Sequence, residues 1–332
     1  MMRNWNPQRG AALLTVMMIV AAMSAAALAV TQSVTQATIR SRALDAQAQL
    51  ALYAISAEEV AKARMSEVLR PLENKLHADL PGLGELQLIP LDQGALTVSA
   101  RDATNCFDVN RLTTGAEGGA LVAVPEMQTA YQALLKELIV DGYSSDMVAL
   151  ASSLTDWMDD NTVPGSGGAE DGYYLSEVPS YRTSGQKLGS VSELRGIKGY
   201  TAEIYALVRP VLCALPEGLA ATPGLLNINT LEEHHAPLLQ QAFEGILPID
   251  DAREIISLRP QGGWADTETM LEDPILNRLN LQNIRRDQLG VVTSLVEVSA
   301  NVSYRGHDMT MRYLFEVQPG RPIKTIRRER VG

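Results

Sequence analysis

QRG, at residues 8–10, is followed by AALLTVMMIVAAMSAAALAV at residues 11–30. This run is long enough to cross the hydrocarbon core of a bilayer, which takes about 20 apolar residues. A buried core helix is the alternative, but a core helix of this length normally keeps a polar face, which this run lacks. Arg3 and Arg9 precede the run and favour a cytoplasmic amino terminus. The sequence therefore predicts a single-pass membrane protein whose larger part is exported.

The helix predicted for the span continues well beyond it. From Val30 to Leu69 there is no Gly or Pro, and apolar residues recur among polar ones at helical spacings. The apolar residues that recur in this way include Val34, Ala37, Leu44, Ala48, Ala51, Ile55, Val60 and Leu69. We expect one helix from Ala11 to about Leu69, hydrophobic all round at first and amphipathic later.

Composition limits the classes of function. The chain has 332 residues and a net charge of −11, and this acidity argues against a nucleic-acid phosphate backbone as the main partner. Its 46% hydrophobic content excludes disordered and collagenous classes. Two cysteines are too few for a zinc site of their own or for a disulfide-dense scaffold.

The short leader that ends in Gln8, Arg9 and Gly10 resembles the class 3 leader of type IV pilins and pseudopilins. The resemblance implies that a prepilin peptidase cuts between Gly10 and Ala11, with methylation as an accompanying modification, and that the apolar helix survives. An ordinary signal peptidase site near residues 25–29 is the alternative, and cleavage there would discard the helix.

Thr15 stands where pilins and most pseudopilins carry a glutamate, the fifth residue after the cut. An uncompensated carboxylate inside a bilayer costs about 2.5 to 3.5 kcal/mol, so it is kept only where a partner awaits it. Its absence suggests a subunit with no neighbour ahead of it. In this respect the chain resembles the K-type minor pseudopilins of type II secretion, the general secretion pathway protein K family.

Alternating apolar residues predict two antiparallel hairpins, one from residues 85–90 and 95–100 and one from residues 296–304 and 309–317. Between them the pattern is helical. We expect an α+β fold: a pilin-like long N-terminal helix packed on a small antiparallel sheet, with a large inserted α-helical domain. The predicted parts are the leader 1–10, the helix 11–70, the β region 71–101 and 291–326, helical subdomains 102–215 and 222–290, and a basic tail 327–332 that we expect to be solvated.

The predicted insertion contains a weak duplication. FDVN at residues 107–110 and LNINT at residues 226–230 each lead into helices. The second half resembles the SAM-like or helix-hairpin-helix modules that the K family carries in tandem. DNA-binding versions use a Gly-apolar-Gly hairpin, whereas GILP at residues 245–248 lacks the second glycine and has acidic flanks that would repel phosphate. We therefore expect no nucleic acid partner.

The stretch from Asp156 to Tyr181 is rich in carboxylates and glycine and contains no Lys or Arg. Hard oxygen ligands on a flexible loop suit Ca²⁺, although a solvated acidic loop explains the composition equally well. K-family proteins have a similar segment that binds calcium. The resemblance carries this role to Asp156, Asp159, Asp160, Glu170 and Asp171, with Asn161 as a further candidate.

Cys106 and Cys213 would lie in an oxidising compartment, where a disulfide is plausible, with two separate buried thiols as the alternative. No catalytic motif is found. His234 and His235 are adjacent on an expected helical turn, which points them in different directions, and we expect both on the surface. Serine-nucleophile and nucleotide-binding motifs are missing from the sequence.

These expectations describe a non-enzymatic minor pseudopilin at the tip of the type II secretion pseudopilus, where it initiates assembly and supports export of folded proteins. By resemblance, its partners are the I-type and J-type minor pseudopilins, other pseudopilus subunits and the prepilin peptidase, at the bacterial inner membrane with the C-terminal domain in the periplasm. A membrane-anchored DNA uptake receptor with a helix-hairpin-helix module and a bitopic periplasmic enzyme are the alternatives.

Overall fold

The computed structural model describes residues 8–115, 119–139, 146–219, 225–279 and 284–331. Helix α1 spans Gln8–Leu69, and every side chain from Ala11 to Arg42 is exposed. The helix ends where Asn74 adopts a positive φ of 62° and its N–H reaches Leu69 O at 3.2 Å. Within the described residues, α1 is the one helix long and apolar enough to cross a membrane, so it is a candidate single-pass anchor.

Helix α1 has two apolar faces, and only one of them is buried. The side chains that pack on the sheet are Leu50, Ala54, Ala57, Ala61, Met65 and Leu69. Val34, Leu44 and Ile55 of the predicted face are 59%, 65% and 63% exposed. Of the recurring apolar residues named from the sequence, only Leu69 packs on the sheet. Both sets contain steps of three and four residues, so periodicity alone does not decide between them.

Strands β1 Gln87–Leu91, β2 Gly94–Asp102, β9 Leu295–Tyr304, β10 His307–Glu316 and β11 Lys324–Val331 form one antiparallel sheet. Their order is β1–β2–β9–β10–β11, and the first four are the two predicted hairpins. The fifth strand corrects the prediction of a solvated tail at residues 327–332, because Arg328 pairs with Tyr313 in the β10–β11 ladder. Strand β11 includes residues 326 and 327, so the predicted boundary between the β region and the tail falls inside a strand.

The sheet is fixed to α1 by polar contacts as well as by apolar packing. Tyr313 donates its hydroxyl hydrogen to Ala54 O at 2.7 Å. Glu58 of α1 is 4% exposed and accepts hydrogen bonds from Arg328 and Thr325 of β11. Burial alone would raise the pKa of Glu58, but hydrogen bonds from Arg328, Thr325 and Lys62 hold it at about 2. We call α1 and the five-stranded sheet the body.

The described residues within 103–294, between β2 and β9, form a helical unit that we call the head. Its helices are α2 Pro125–Leu138, α3 Met147–Met158, α4 Asp171–Tyr174, α5 Ala202–Val208, α6 Ala236–Ala242, α7 Ile249–Ser257, α8 Thr267–Leu271 and α9 Pro274–Asn277. Its short strands are β3 Phe107–Asp108, β4 Thr113–Thr114, β5 Val122–Ala123, β6 Leu212–Cys213, β7 Leu226–Asn227 and β8 Leu289–Gly290. The large helical insertion is thus present, although each helix in it is short.

The head contains two structural repeats, which we call the first repeat, residues 105–215, and the second repeat, residues 226–290. Each is closed at its root by a two-residue parallel bridge, β3 with β6 and β7 with β8. In each, one buried asparagine both donates to and accepts from the backbone of a distant residue. Asn110 bonds Leu188 at 2.9 and 2.8 Å, and Asn229 bonds Trp264 at 2.8 Å in both directions. The FDVN and LNINT motifs therefore occupy equivalent places.

Candidate functional site: the acidic loop and the outward helix face

Asp156, in the last turn of α3, organises the acidic loop, residues 156–181. Its carboxylate is 3% exposed and accepts the backbone N–H of Gly165 at 3.1 Å and of Ala169 at 2.8 Å. Burial raises the pKa of Asp156, and these hydrogen bonds oppose that shift. Only glycine fits at position 168, because a Cβ there would stand 1.9 Å from Asp156 Oδ2.

Glu170 is the least satisfied acid of the loop. Only 8% of the residue is exposed, and its Oε1 has no hydrogen-bond partner among the described residues. Burial, followed by the charges of Asp156, Asp159 and Asp171, raises the pKa of Glu170 to about 7. Glu170 therefore lies near enough to these three acids for their charges to act on it. A free, buried carboxylate oxygen among further acids suits a cation.

The remaining acids of the loop are already engaged to different degrees. Asp159 is 4% exposed and accepts the Asn161 N–H at 3.3 Å, and burial raises its pKa. Asp160 is exposed and accepts the N–H of Leu121 at 2.6 Å. The side-chain oxygen of Asn161 accepts the N–H of Val163 at 2.8 Å.

Asp171 differs from the others because it has a cationic partner. Its carboxylate accepts from Arg182 Nη1 at 2.7 Å and from the N–H and hydroxyl of Thr183 at 3.0 Å. These hydrogen bonds, first among them the one from the Thr183 backbone, lower the pKa of Asp171. The salt bridge occupies one of its oxygens in this arrangement.

Lys198 also contacts the loop, and sequence reasoning missed it because Lys198 is distant along the chain. Its ammonium group donates to the carbonyl oxygens of Gly167 and Gly168 at 3.0 Å and lies 5.0 Å from the ring centre of Tyr173. Trp157 contacts the rings of Tyr174 and Tyr181 beneath the loop. The loop is therefore built on a rigid aromatic base.

As they stand, the described residues contain no group of three or more His, Cys, Asp or Glu side chains arranged to hold a metal ion. The donor chemistry still fits a hard cation, because every candidate ligand is an oxygen and Glu170 Oε1 is buried without a partner. Histidine and cysteine, the ligands that zinc prefers, do not occur in the stretch 156–181. Modest side-chain rotation would be needed to turn several carboxylates to one point.

Cys106 and Cys213 form a disulfide with a Cα–Cα distance of 5.7 Å, beside the β3–β6 bridge. His235, in contrast, departs from its predicted surface position. It is 3% exposed, its Nδ1 accepts the Glu232 N–H at 2.9 Å, and burial lowers its pKa to about 3. The histidine pair therefore includes one neutral structural side chain, which caps the short 3₁₀ turn Glu233–His235 that precedes α6.

The second candidate surface is the face of α1 turned away from the sheet, which we call the outward stripe: Val34, Ala37, Leu44, Ala48, Ala51, Leu52 and Ile55, all exposed. It begins close to the apolar run and ends before Glu59 and Lys62. Near the start of the helix, Thr15 donates its hydroxyl hydrogen to Ala12 O at 2.9 Å, so its side chain is satisfied within α1. Gly10 and Ala11, the predicted cleavage pair, both lie in α1.

Comparison with known proteins gives a consistent answer. Two family profiles described as type II secretion system protein K match residues 105–217 and 226–292. The protein K of Pectobacterium carotovorum subsp. carotovorum is 30% identical over 98% of this chain and 97% of its own length. That of Aeromonas hydrophila is 33% identical over 80% of each chain.

A solved structure has the same fold. One chain of the GspK-GspI-GspJ complex from the enterotoxigenic Escherichia coli type 2 secretion system matches with a TM-score of 0.70 and 25% identity, over 88% of this chain and 99% of that one. The prediction of family is confirmed, and the family is one of structural secretion components rather than of enzymes. The chain belongs to the type II secretion system protein K family, and it is a minor pseudopilin of that machine.

Proposed function

We propose that this chain is the tip subunit of the type II secretion pseudopilus, where it starts assembly and supports the export of folded proteins across the outer membrane. The observation that carries the proposal is the head. Residues 103–294 stand off the sheet as a separate helical unit, too bulky to be enclosed between neighbouring subunits of a thin filament. Thr15 supports it, because a first subunit needs no acid to pair with a subunit ahead. In this role the chain takes part in filament assembly and catalyses no reaction.

The precursor is held in the inner membrane by α1, with the head in the periplasm, and a prepilin peptidase cuts between Gly10 and Ala11. The exposed apolar start of α1 supports this, because it has no partner within the described chain. Amino-terminal sequencing of protein made beside the peptidase tests it. A mature chain starting at Ala11 is expected, and cleavage near Ala29 would refute the proposal.

The partners are the I-type and J-type minor pseudopilins, which we place on the outward stripe. The structural neighbour was solved in a GspK-GspI-GspJ complex, which supports partners of this kind. On this chain the stripe provides an apolar helix face next to the membrane span, with Leu52 at 58% exposure. Apolar helix faces of this width pack against other helices.

Leu52→Glu, in the middle of the stripe, tests the placement. The expected result is at least about a tenfold loss of I-type and J-type protein captured with the full chain, corresponding to ~1.4 kcal/mol or more. Ala63→Glu is the matched control, because Ala63 is equally exposed on α1 but lies beyond the stripe. Equal capture by both variants would remove the stripe from the interface.

The acidic loop, we propose further, binds Ca²⁺ through Asp156, Asp159, Asp160, Glu170 and Asp171, with Asn161 as a further donor. Support comes from the unpaired Glu170 oxygen and from the crowding that raises its pKa. The ion would neutralise this repulsion and join α3 to the segment that starts at Glu170; its role would be structural. Asp171 would join only by sharing its carboxylate with Arg182.

Calcium titration of the full chain in detergent, after chelation, tests this site. Binding should raise the thermal midpoint and change the fluorescence of Trp157, which packs beneath the loop. Glu170→Gln should weaken binding at least about tenfold, since it removes one charge and one strong donor. Glu177→Gln, in the same loop but outside the set, is the control. No heat of binding and no stabilisation would refute the site.

The two repeats of the head, finally, are proposed to be SAM-like or helix-hairpin-helix-like modules that contact proteins rather than nucleic acid. Their shared asparagine clamp supports a common origin. In the second repeat, Arg253 and Arg278 are paired with Asp250 and Asp251, which leaves little free positive charge there. Binding of duplex DNA at physiological salt would contradict this.

A further inference from the structure

The head and the body have separate hydrophobic cores. In the described residues, one apolar cluster fills both repeats and another lies between α1 and the sheet. Only a small third cluster lies at the junction, formed by Ala103, Leu295 and Leu314 with a few half-buried neighbours. Apolar packing of this size does little to set an angle, because it is not directional. The junction must therefore be oriented by something else.

A buried polar cluster lies at the place where the chain enters and leaves the head. Asp102, the last residue of β2, is 8% exposed. Its Oδ1 accepts the Thr104 N–H at 2.8 Å, and its Oδ2 accepts from Asn227 Nδ2 at 2.8 Å, Thr230 Oγ1 at 2.7 Å and Thr293 Oγ1 at 2.6 Å. Four donors satisfy the carboxylate without a cation.

The donors come from every chain segment that meets there. Thr104 starts the head, Asn227 and Thr230 start the second repeat, and Thr293 leads back into the sheet. Asn227 has no exposed surface, and it also donates to Leu76 O at 3.2 Å, in the segment after α1. Asn105, at the entrance to the first repeat, bonds the backbone N–H and C=O of Asn227.

We propose that Asp102 is a positioning residue that sets the orientation of the head on the body. Hydrogen bonds to a buried carboxylate are directional and stronger than those between neutral groups. One carboxylate that holds three segments by such bonds fixes their mutual angle, which the small apolar cluster does not. A tip subunit needs this stiffness, and further head-to-body hydrogen bonds, such as those from Arg327 to the Gly189 and Ala214 carbonyl oxygens, add to it. The inference concerns the geometry of the chain and holds whatever its partners are.

Distances between spin labels test the proposal in the full chain in detergent. Labels that require no cysteine are placed at three exposed positions: Glu67 on α1, Glu203 in the first repeat and Ser257 in the second. In the wild-type chain each pair should give one narrow distance distribution. In Asp102→Ala, both distances from Glu67 should broaden at least about twofold, while the Glu203–Ser257 distance inside the head stays narrow.

Asp102→Asn is the second variant, since it keeps the size of the side chain and replaces one acceptor oxygen with a donor. It should broaden the same two distances to a smaller extent. Asp92→Ala, in the exposed β1–β2 turn, is the control and should change none. Narrow head-to-body distances in both Asp102 variants would overturn the proposal. Broadening of the Glu203–Ser257 distance as well would also overturn it, because it would show general loosening instead of a hinge.

Discussion

The first and second repeats of the head share a frame but are stabilised differently. Both have a parallel bridge at the root and an asparagine clamp above it. At the root of the first, the disulfide Cys106–Cys213 adds a covalent link. At the root of the second, Asn227 enters the buried polar cluster around Asp102. The same frame can thus be stabilised by a disulfide, which requires oxidation, or by hydrogen bonds to residues of the body.

A single change of residue type explains why, at this position, only the second repeat reaches the body. Asp108 and Asn227 occupy equivalent places, and each accepts an N–H two residues ahead at 3.1 Å. A carboxylate only accepts, so Asp108 stays within its own repeat, where it also bonds the Leu215 N–H at 3.0 Å. The amide of Asn227 has hydrogens left over, and it uses them to reach the body.

Removal of the disulfide should have the largest effect. Cys106→Ser with Cys213→Ser opens a loop with a sequence separation of 107, and the loss of loop closure is worth about 4 to 5 kcal/mol. Denaturant unfolding should show this loss, with hydrogen exchange fastest in the first repeat. An unchanged midpoint would mean that the bridge and the clamp alone secure that root.

The clamps should come next. Asn110→Ala and Asn229→Ala each leave a buried backbone N–H and C=O without partners, at a cost of about 2 to 4 kcal/mol. Asn277→Ala is the control, because the side chain of Asn277 is exposed and makes one hydrogen bond. Asn110 also donates to Leu215 O at 3.0 Å, so if the repeats are equivalent the two losses in free energy of unfolding will agree to within that one extra hydrogen bond, about 1 kcal/mol. A loss at one clamp only would break the equivalence.

Gly168→Ala should cost about 1 to 3 kcal/mol, because the new methyl group would collide with the Asp156 carboxylate. Gly172→Ala, in the same loop, is the matched control. A Cβ at Gly172 meets nothing within 4 Å, so that variant should be neutral or slightly stabilised. Equal thermal midpoints for the two variants would show that Asp156 is not held where the structure has it.

The pH dependence of stability should distinguish Glu58 in the body from Glu170 in the head. We expect these effects to be the smallest. The pKa of Glu58 is about 2, below its ordinary value of 4.5. Its contribution to the free energy of unfolding is therefore present above pH 4.5 and is lost as the pH falls toward 2. The pKa of Glu170 is about 7, above its ordinary value of 4.5. Its contribution to the free energy of unfolding is therefore present below pH 4.5 and is lost as the pH rises through 7. Unfolding in chelator from pH 2 to pH 8 measures both.

Glu58→Gln and Glu170→Gln identify the two parts of that profile. The first substitution should flatten the acid side, and the second should flatten the change between pH 4.5 and 7. A profile that neither variant alters would show that the two carboxyls titrate alike in the folded and unfolded chain. Calcium should also flatten the change assigned to Glu170, if the proposed site is correct.

The sequence was informative wherever one local pattern has one structural solution. Alternation at residues 296–304 predicts a half-buried strand, and β9 is found there. The two apolar faces of α1 obey the same spacing, so only the sheet decides which is covered. The strand at residues 324–331 was missed because its arginines indicate solvent, whereas Arg328 reaches the buried Glu58 across the fold.

Within the acidic loop, the sequence located the carboxylates but not their partners. Glycine at 168 and acids at 156 and 170 are visible in the sequence, and the fold does bring these acids together. Lys198 and the Arg182 contact to Asp171 depend on how distant segments return, which no spacing encodes. His235 shows the same limit, since polar residues precede it in the chain while its place in the fold is buried.

The two ends of the head meet, and this has a consequence for the order of folding. Ala103 donates its N–H to Leu295 O at 2.9 Å, although the whole head separates them along the chain. Pairing β2 with β9 across an unfolded insertion would carry the full entropic cost of closing a very long loop. Once the head has formed, its two ends hold β2 and β9 side by side. The two strands can then pair as readily as strands joined by a short turn.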